Sequence, residues 1–130
     1  MADTLAIRKS REGKVTVLHL TGVLNAQSEN ELLQAAGAAH AEDPHTLVLD
    51  LTDLQMVMSA GLRALQNVYK LYTPAGEPET WEAAHSGEVY KSPRLKFAGA
   101  APQVHYVLSL SGFLHNIPIY PRLQEAIDSF

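Results

Sequence analysis

Alternating stretches of apolar and polar residues predict strands and helices in turn along this chain. Residues 15–20 (VTVLHL) and 46–51 (TLVLDL) are rich in β-branched and aliphatic residues, so both predict strands. The second run is almost continuously apolar, which is typical of a strand buried on both faces of a parallel sheet. Residues 5–9 are a weaker strand candidate, paired with 15–20 through a turn at 11–14.

Helical patterns alternate with these strands. Residues 26–42 are dominated by the strong helix formers Ala, Leu, Glu and Gln, and Asp43–Pro44 ends the run. A second helix runs from about Ser59 to Tyr72, because apolar residues recur there every three to four positions. Ser59 is the predicted N-cap of this helix.

Residues 73–93 combine prolines, glycines and glutamates, which predicts a long irregular insertion rather than a core element. Either this segment is mobile, or its single tryptophan, Trp81, anchors it over a groove beside the helices. We favour anchoring, since a large ring is rarely left fully solvated. Regular elements then return. They are a short strand at 94–98, a helix at 103–111, an edge strand at 116–120 and a last helix opened by Pro121.

The order of elements, β-β-α-β-α-loop-β-α-β-α, predicts the fold class. Strands that alternate with helices form mainly parallel sheets with helices packed on them. We therefore expect an α/β fold with a mostly parallel sheet of four to five strands and about four α-helices packed against it. The 130 residues suit a single domain spanning 1–130.

Composition narrows the range of partners. Ten Lys and Arg against fourteen Asp and Glu give a net charge of −4, whereas nucleic acid requires a basic face, so nucleic acid is not an expected partner. The chain has no cysteine, which excludes disulfides and thiolate chemistry and fits a reducing compartment. No apolar run reaches the ~20 residues that span a bilayer, and no apolar core precedes the first charges. We expect a cytoplasmic protein without membrane insertion.

The sequence lacks the motifs of common catalytic and cofactor sites. It contains neither GxGxxG nor GxxxxGK(S/T), and its six histidines include no HxxxH pair that would suit a metal. His105 and Ser109 are four residues apart on a predicted helix, but a nucleophile also needs a strained turn and an oxyanion hole. We expect no enzyme activity, no catalytic residue, no cofactor and no metal.

The junction between the strand at 46–51 and the second helix is the most informative stretch. Residues 47–65 read LVLDLTDLQMVMSAGLRAL, so a buried strand ends and an eight-residue connection reaches Ser59. This is a carboxyl edge of a parallel sheet, where α/β proteins place their sites. A phosphate on Ser59 would meet free backbone N–H groups and the positive end of the helix dipole.

This stretch resembles the STAS family of anti-sigma factor antagonists. The family has a strand similar to LVLDLTDL and then a Ser-(Ser/Ala)-Gly-Leu turn that opens a helix, as at Ser59–Leu62. Three further segments resemble the family in the same order, namely VTVLHLTGVLNAQSENEL, RLKFAGAAPQVHYVLSLSGF and IYPRLQEAI. The resemblance implies a non-catalytic domain that binds the ATP-binding lobe of an anti-sigma serine kinase. It also implies that the kinase phosphorylates Ser59 and thereby breaks the complex.

Two positions depart from the family pattern. Met58 and Asn25 stand where the family usually has aspartates, so two carboxylates that normally flank the serine are missing. The kinase could recognise Ser59 less well, or the neutral site could accept a different partner. Met56 and Met58 either form a soft apolar contact surface or pack beneath the helix.

The predicted partner interface surrounds Ser59, the candidate phosphoacceptor. Its members are Asn25, Met56, Val57, Met58, Ala60, Gly61, Leu62 and Arg63. Arg63 lies one helical turn after Ser59, so its guanidinium either binds a phosphate there or remains a solvated surface charge.

Two other functions are open at the level of sequence. A divergent STAS domain could serve another signalling or transporter partner without a phospho-switch. The same sheet edge could instead sense a small ligand or nucleotide. A neighbouring gene for an anti-sigma kinase would favour the first function, and thermal stabilisation by a ligand would favour the last. The chain could also form a homodimer.

Overall fold

The computed structural model describes residues 4–130, which hold five strands, five α-helices and one 3-10 helix. The strands are β1 (Leu5–Glu12), β2 (Val15–Leu24), β3 (Leu47–Val57), β4 (Leu95–Ala98) and β5 (Ile119–Tyr120). The α-helices are α1 (Glu29–Glu42), α2 (Ser59–Leu71), α3 (Glu77–Ala84), α4 (Pro102–Ser111) and α5 (Leu123–Asp128), and the 3-10 helix is Phe113–His115. The predicted domain also includes residues 1–3, which lie outside the described part. Across 4–130, no helix combines the length and apolar character needed to cross a bilayer.

The described strands form one sheet. They lie in the order β1-β2-β3-β4-β5, with β1 antiparallel to β2 and the other neighbours parallel. A helix lies between the members of every parallel pair, because parallel neighbours need a long crossover rather than a tight turn. The predicted α/β fold with a mostly parallel sheet is confirmed.

Side chains alternate across the sheet and form a core on each face. On β2, Leu18 and Leu20 join the larger core, to which α1, α2 and α4 also contribute. Val15 and Val17 join a smaller core on the other face, under α5. Helices therefore cover both faces, which explains why the first half of β3 is apolar at successive positions.

β3 is much longer than the strand predicted at 46–51. It continues to Val57, and Met58 is the one residue between it and α2, so the expected eight-residue connection is wrong. The added half of β3 has a partner because β2 also continues, as far as Leu24.

Irregular pairing explains why the sequence pattern missed this half of β3. Two register shifts between β2 and β3 each place an extra residue in β3. The buried positions therefore fall at Leu51, Leu54 and Val57, a spacing of three rather than two. Such a spacing does not indicate a strand when it is read without its partner.

The segment predicted to be irregular, 73–93, contains the helix α3, which corrects that prediction. α3 follows Gly76, whose φ of +81° is a conformation that favours glycine, and Pro78 lies in its first turn. A proline in the first turn and acidic residues beside it are helix-start signals, although the same residues also occur in loops.

Trp81 packs within this segment rather than over a groove beside the main helices. Its ring stacks on His85 with centroids 4.1 Å apart and meets the buried Tyr90 edge-on at 6.1 Å. The Glu77 carboxylate accepts hydrogen bonds from Tyr90 at 2.5 Å and from Arg94 at 2.6 and 3.0 Å. These contacts attach α3 to the segment that leads into β4.

The remaining boundaries shift by a few residues. α1 begins at Glu29 rather than at residue 26, because residues 25–28 form a separate turn. β5 covers two residues of the predicted 116–120, and α5 begins at Leu123.

Candidate functional site

The ends of β2 and β3 bring the starts of α1 and α2 together. The last residues of the two strands, Leu24 and Val57, are paired in register. The Met58 N–H then donates to the Leu24 carbonyl at 2.8 Å, which extends the pairing by one more residue. Gly61 brings the first turn of α2 against the same carbonyl, because a Cβ there would lie 2.5 Å from the Leu24 oxygen.

Ser59 is the first residue of α2 and is exposed. The predicted N-cap role is wrong, because Met58 is the N-cap and has an extended backbone with φ −95° and ψ 177°. The hydrogen bond from Met58 to Leu24 keeps this residue in strand geometry, so the helix can start only at the next position. Ser59 therefore lies at the first position inside the helix, with its side chain exposed.

Asn25 forms the turn that starts α1. Its Oδ1 accepts hydrogen bonds from the N–H groups of Gln27 at 3.0 Å and Ser28 at 3.1 Å. The buried Ser28 hydroxyl in turn donates to the Val23 carbonyl at 3.0 Å. Both contacts to Asn25 use an acceptor oxygen that an aspartate also has, so this departure from the family pattern preserves the turn.

An open groove lies between the two helix starts, with Ser59 in its wall. Its lining residues are Val23, Asn25, Ala26, Met56, Met58, Ser59, Ala60 and Arg63. Met56 is 42% exposed and Met58 is 51% exposed, so neither methionine packs beneath the helix. The exposed part of the groove is thus mainly apolar and flexible.

Three of the residues predicted for the interface do not line this groove. Val57 is 4% exposed and belongs to the larger core. Gly61 is buried against Leu24, and Leu62 is half-buried and packs against the same core. The other predicted members all line the groove, and the burial of Val57 and Gly61 keeps these two residues from its surface.

Arg63 forms an ion pair with Glu29 across the two helix starts. Its Nε donates to Oε2 at 2.7 Å and its Nη2 donates to Oε1 at 2.8 Å, so the pair is bidentate. The hydrogen bond from Arg63 lowers the pKa of Glu29 and, in return, raises the pKa of Arg63. The pair was not predicted, since 34 residues separate its members along the chain.

The start of α2 favours an anion. Its first turn contains no acidic residue, in a helix whose sequence is SAGLRALQNVYKL. Backbone N–H groups at a helix start lack partners within the helix, and together with the dipole they attract negative charge. Residues 4–130 contain no group of three or more His, Cys, Asp or Glu side chains that could hold a metal ion.

A second polar cluster lies away from the groove. His19 Nδ1 is 2.7 Å from Asp50 Oδ2, and His19 Nε2 is 2.8 Å from the Ser10 hydroxyl. The second Asp50 oxygen accepts a 2.6 Å hydrogen bond from Thr52. This chain of contacts links β1, β2 and β3, and it engages both oxygens of the Asp50 carboxylate.

The comparison with known protein families identifies the domain. The family model described as "Mlab, STAS domain" matches residues 7–77, more than half of the chain. A search of curated protein sequences gives no match.

Solved structures with the same fold include regulators and a transporter. An anti-sigma factor antagonist from Mycobacterium paratuberculosis is similar with a TM-score of 0.77 and 22% identity, over 99% of this chain and 96% of that one. The anti-sigma factor antagonist SpoIIAA, in its unphosphorylated form, gives a TM-score of 0.68 at 18% identity, over 95% and 94% of the two chains. A murine Solute Carrier 26 anion transporter gives 0.61 at 18% identity, over 91% of this chain but 18% of the transporter.

At these identities the structural matches establish the fold, and the family model establishes the relationship. The match begins within β1 and continues through β2, α1, β3 and α2 to the first residue of α3, so it contains both helix starts and the groove between them. The chain therefore belongs to the STAS domain family.

Proposed function

We propose that this chain is a non-catalytic anti-sigma factor antagonist that binds an anti-sigma serine kinase through the groove beside Ser59. Phosphorylation of Ser59 by that kinase breaks the complex. The observation that carries the proposal is the exposed position of Ser59 at the start of α2, in a STAS domain whose structural neighbours include anti-sigma factor antagonists.

The surface around Ser59 suits reversible contact with another protein. The exposed methionines Met56 and Met58 offer polarisable, unbranched side chains that adapt to a partner. The charge of Arg63 is compensated by Glu29, so the groove is close to neutral before phosphorylation. A neutral, partly apolar surface can be buried without leaving an unpaired charge in the interface.

A phosphate on Ser59 would give this neutral surface a net negative charge. The kinase would transfer the γ-phosphoryl group of ATP to Ser59 Oγ, with loss of the hydroxyl proton and release of ADP. The product carries a charge of about −1.5 to −2 at pH 7 in the wall of the groove. The start of α2 stabilises this charge within the free domain, whereas the complex must either pair it or leave it desolvated.

Phosphate mapping tests the proposal. The chain is incubated with ATP and purified anti-sigma serine kinases from the same organism, and the products are analysed by mass spectrometry. We expect one phosphate, on Ser59, and no incorporation in the Ser59→Ala variant. Ser86→Ala is the matched control, because Ser86 is exposed but lies in the segment between α3 and β4, and it should be phosphorylated like the parent.

Two results would contradict the proposal. One is phosphate on a residue other than Ser59. The other is a kinase that binds the chain and phosphorylates a known substrate, yet leaves Ser59 unmodified.

A further inference from the structure

The ion pair between Arg63 and Glu29 lies beside the proposed phosphoacceptor. Arg63 and Ser59 both line the groove, and they are four residues apart on α2. Glu29 is the first residue of α1, so the pair joins the starts of the two helices. The Arg63 side chain is 63% exposed, whereas that of Glu29 is 16% exposed, so the guanidinium has more open space around it than the carboxylate.

We propose that Arg63 exchanges Glu29 for the phosphate when Ser59 is phosphorylated, and that this exchange opens the link between α1 and α2. The inference rests on the proposed function, because it assigns a response to the modification of that same serine.

The helix geometry permits the exchange. Residues four apart on a helix have Cβ atoms about 5–6 Å apart, well within the length of an arginine side chain. An anion at position i and a cation at position i+4 is also the favourable order, because it agrees with the helix dipole. Arg63 can therefore reach a phosphate on Ser59 by rotating its own side chain, with the backbone of α2 unchanged.

Relative charge favours the phosphate over Glu29. Glu29 has one negative charge, whereas phosphoserine carries about −1.5 to −2 at pH 7. The guanidinium can bind either group with two parallel hydrogen bonds, so Arg63 makes as many hydrogen bonds after the exchange as before it. The Glu29 carboxylate keeps a second source of stabilisation, because it lies in the first turn of α1 near the positive end of that helix.

The exchange changes the partner-facing surface on both sides of the groove. Before phosphorylation Arg63 and Glu29 neutralise each other. Afterwards Arg63 is withdrawn to the phosphate, and the Glu29 carboxylate becomes an uncompensated anion at the start of α1. A partner that fits the neutral form therefore meets two changes rather than one.

Phosphoserine placed at position 59 during translation provides a direct test without a kinase. The second pKa of the phosphate is measured by phosphorus NMR in the parent and in Arg63→Gln. We expect a value lower by about 0.5 in the parent, the size of an exposed ion pair. Lys70→Gln, which removes a cation from the last turn of the same helix, is the matched control and should leave the value unchanged.

The pKa of Glu29, measured by NMR at its carboxyl carbon, reports the other half of the exchange. The Arg63 hydrogen bond lowers this pKa, so it should rise when phosphoserine replaces Ser59. The phosphate charge raises it too, so the comparison is made in Arg63→Gln, where the rise should be smaller. Glu29→Gln removes the carboxylate that competes with the phosphate for Arg63. This variant should lower the second pKa of the phosphate further.

Either of two outcomes overturns the inference. One is an equal second pKa in the parent and Arg63→Gln. The other is a Glu29 pKa that rises equally in the two backgrounds, which would show that Arg63 stays with Glu29. Both results are independent of whether any kinase modifies Ser59, so this inference and the proposed function fail separately.

Discussion

Met58 occupies the N-cap of α2, a position where a short polar side chain usually accepts hydrogen bonds from the first turn. In residues 4–130 no side chain caps α2 in this way. An aspartate at this position, which the family usually has, offers a carboxylate that can accept such a hydrogen bond, whereas methionine cannot. Its replacement by methionine leaves the start of α2 uncapped.

Met58→Asp should stabilise the domain by about 1 kcal/mol, because a carboxylate at the N-cap can accept the N–H of Ala60 or Gly61. Met58 is 51% exposed, so the new charge stays in contact with water. Urea denaturation at pH 7 measures the change, and Met58→Ala separates capping from the loss of the methionine. A Met58→Asp domain no more stable than Met58→Ala would contradict the capping argument.

Glycine is required at position 61 because there is no room for a Cβ, and not because of its backbone conformation. A Cβ at this position would lie 2.5 Å from the Leu24 carbonyl oxygen, a backbone atom that cannot move without disturbing β2. Gly61→Ala should therefore destabilise the domain by about 1–3 kcal/mol, although alanine is the better helix former.

Gly37→Ala is the matched control for Gly61→Ala. Gly37 lies in α1, and a Cβ there meets no atom within 4 Å among the described residues. This variant should be more stable by up to about 1 kcal/mol, because alanine restricts the unfolded chain. Equal effects of the two substitutions on the free energy of unfolding would mean that α2 does not pack closely on Leu24.

At the scale of elements, a small charged cluster attaches α3 to the segment that leads into β4. Glu77 accepts hydrogen bonds from Arg94 and Tyr90, and these lower the pKa of its carboxyl from 4.5. A carboxyl whose pKa is lower in the folded state than in the unfolded chain stabilises the fold at pH values above its unfolded pKa. That stability is lost as the pH falls through the folded value.

Glu77→Gln should lower the free energy of unfolding by about 1–2 kcal/mol at pH 7, because a charged acceptor of several hydrogen bonds is removed. The difference from the parent should begin to shrink as the pH falls below about 4.5, where the carboxyl of the unfolded chain becomes protonated, and should vanish once the pH is below the lowered pKa of the folded state. Glu79→Gln, an exposed residue in the same first turn, should show neither effect in urea denaturation from pH 7 to pH 3. A Glu77→Gln difference that stays constant over this range would show that the carboxylate is not the stabilising form.

The elements differ in how well the sequence predicts them. The helix α2 is predicted within one residue of each end, because its apolar face repeats with the helical period. The second half of β3 is not predicted, since two register shifts change the spacing of its buried residues. α3 is missed for a different reason: none of its residues is buried, so it has no apolar face to detect.

At the scale of the whole molecule, the mostly parallel sheet and the position of Ser59 at the start of α2 follow from the sequence, whereas the charge arrangement around Ser59 does not. The alternation of strands and helices predicts the parallel sheet and the start of α2 at its carboxyl edge. The pairing of Arg63 with Glu29 depends on how α1 and α2 lie side by side. Only the folded chain shows that contact.

The central claim is that the groove beside Ser59 binds a partner and that phosphate on this serine breaks the contact. The most direct test is the dissociation constant of an anti-sigma serine kinase from the same organism, measured by titration calorimetry for the unmodified chain and for the chain with phosphoserine at position 59. A like charge or an unpaired anion in an interface costs several kcal/mol, so binding should weaken by about 100-fold or more. Equal affinities for the two forms would contradict the claim.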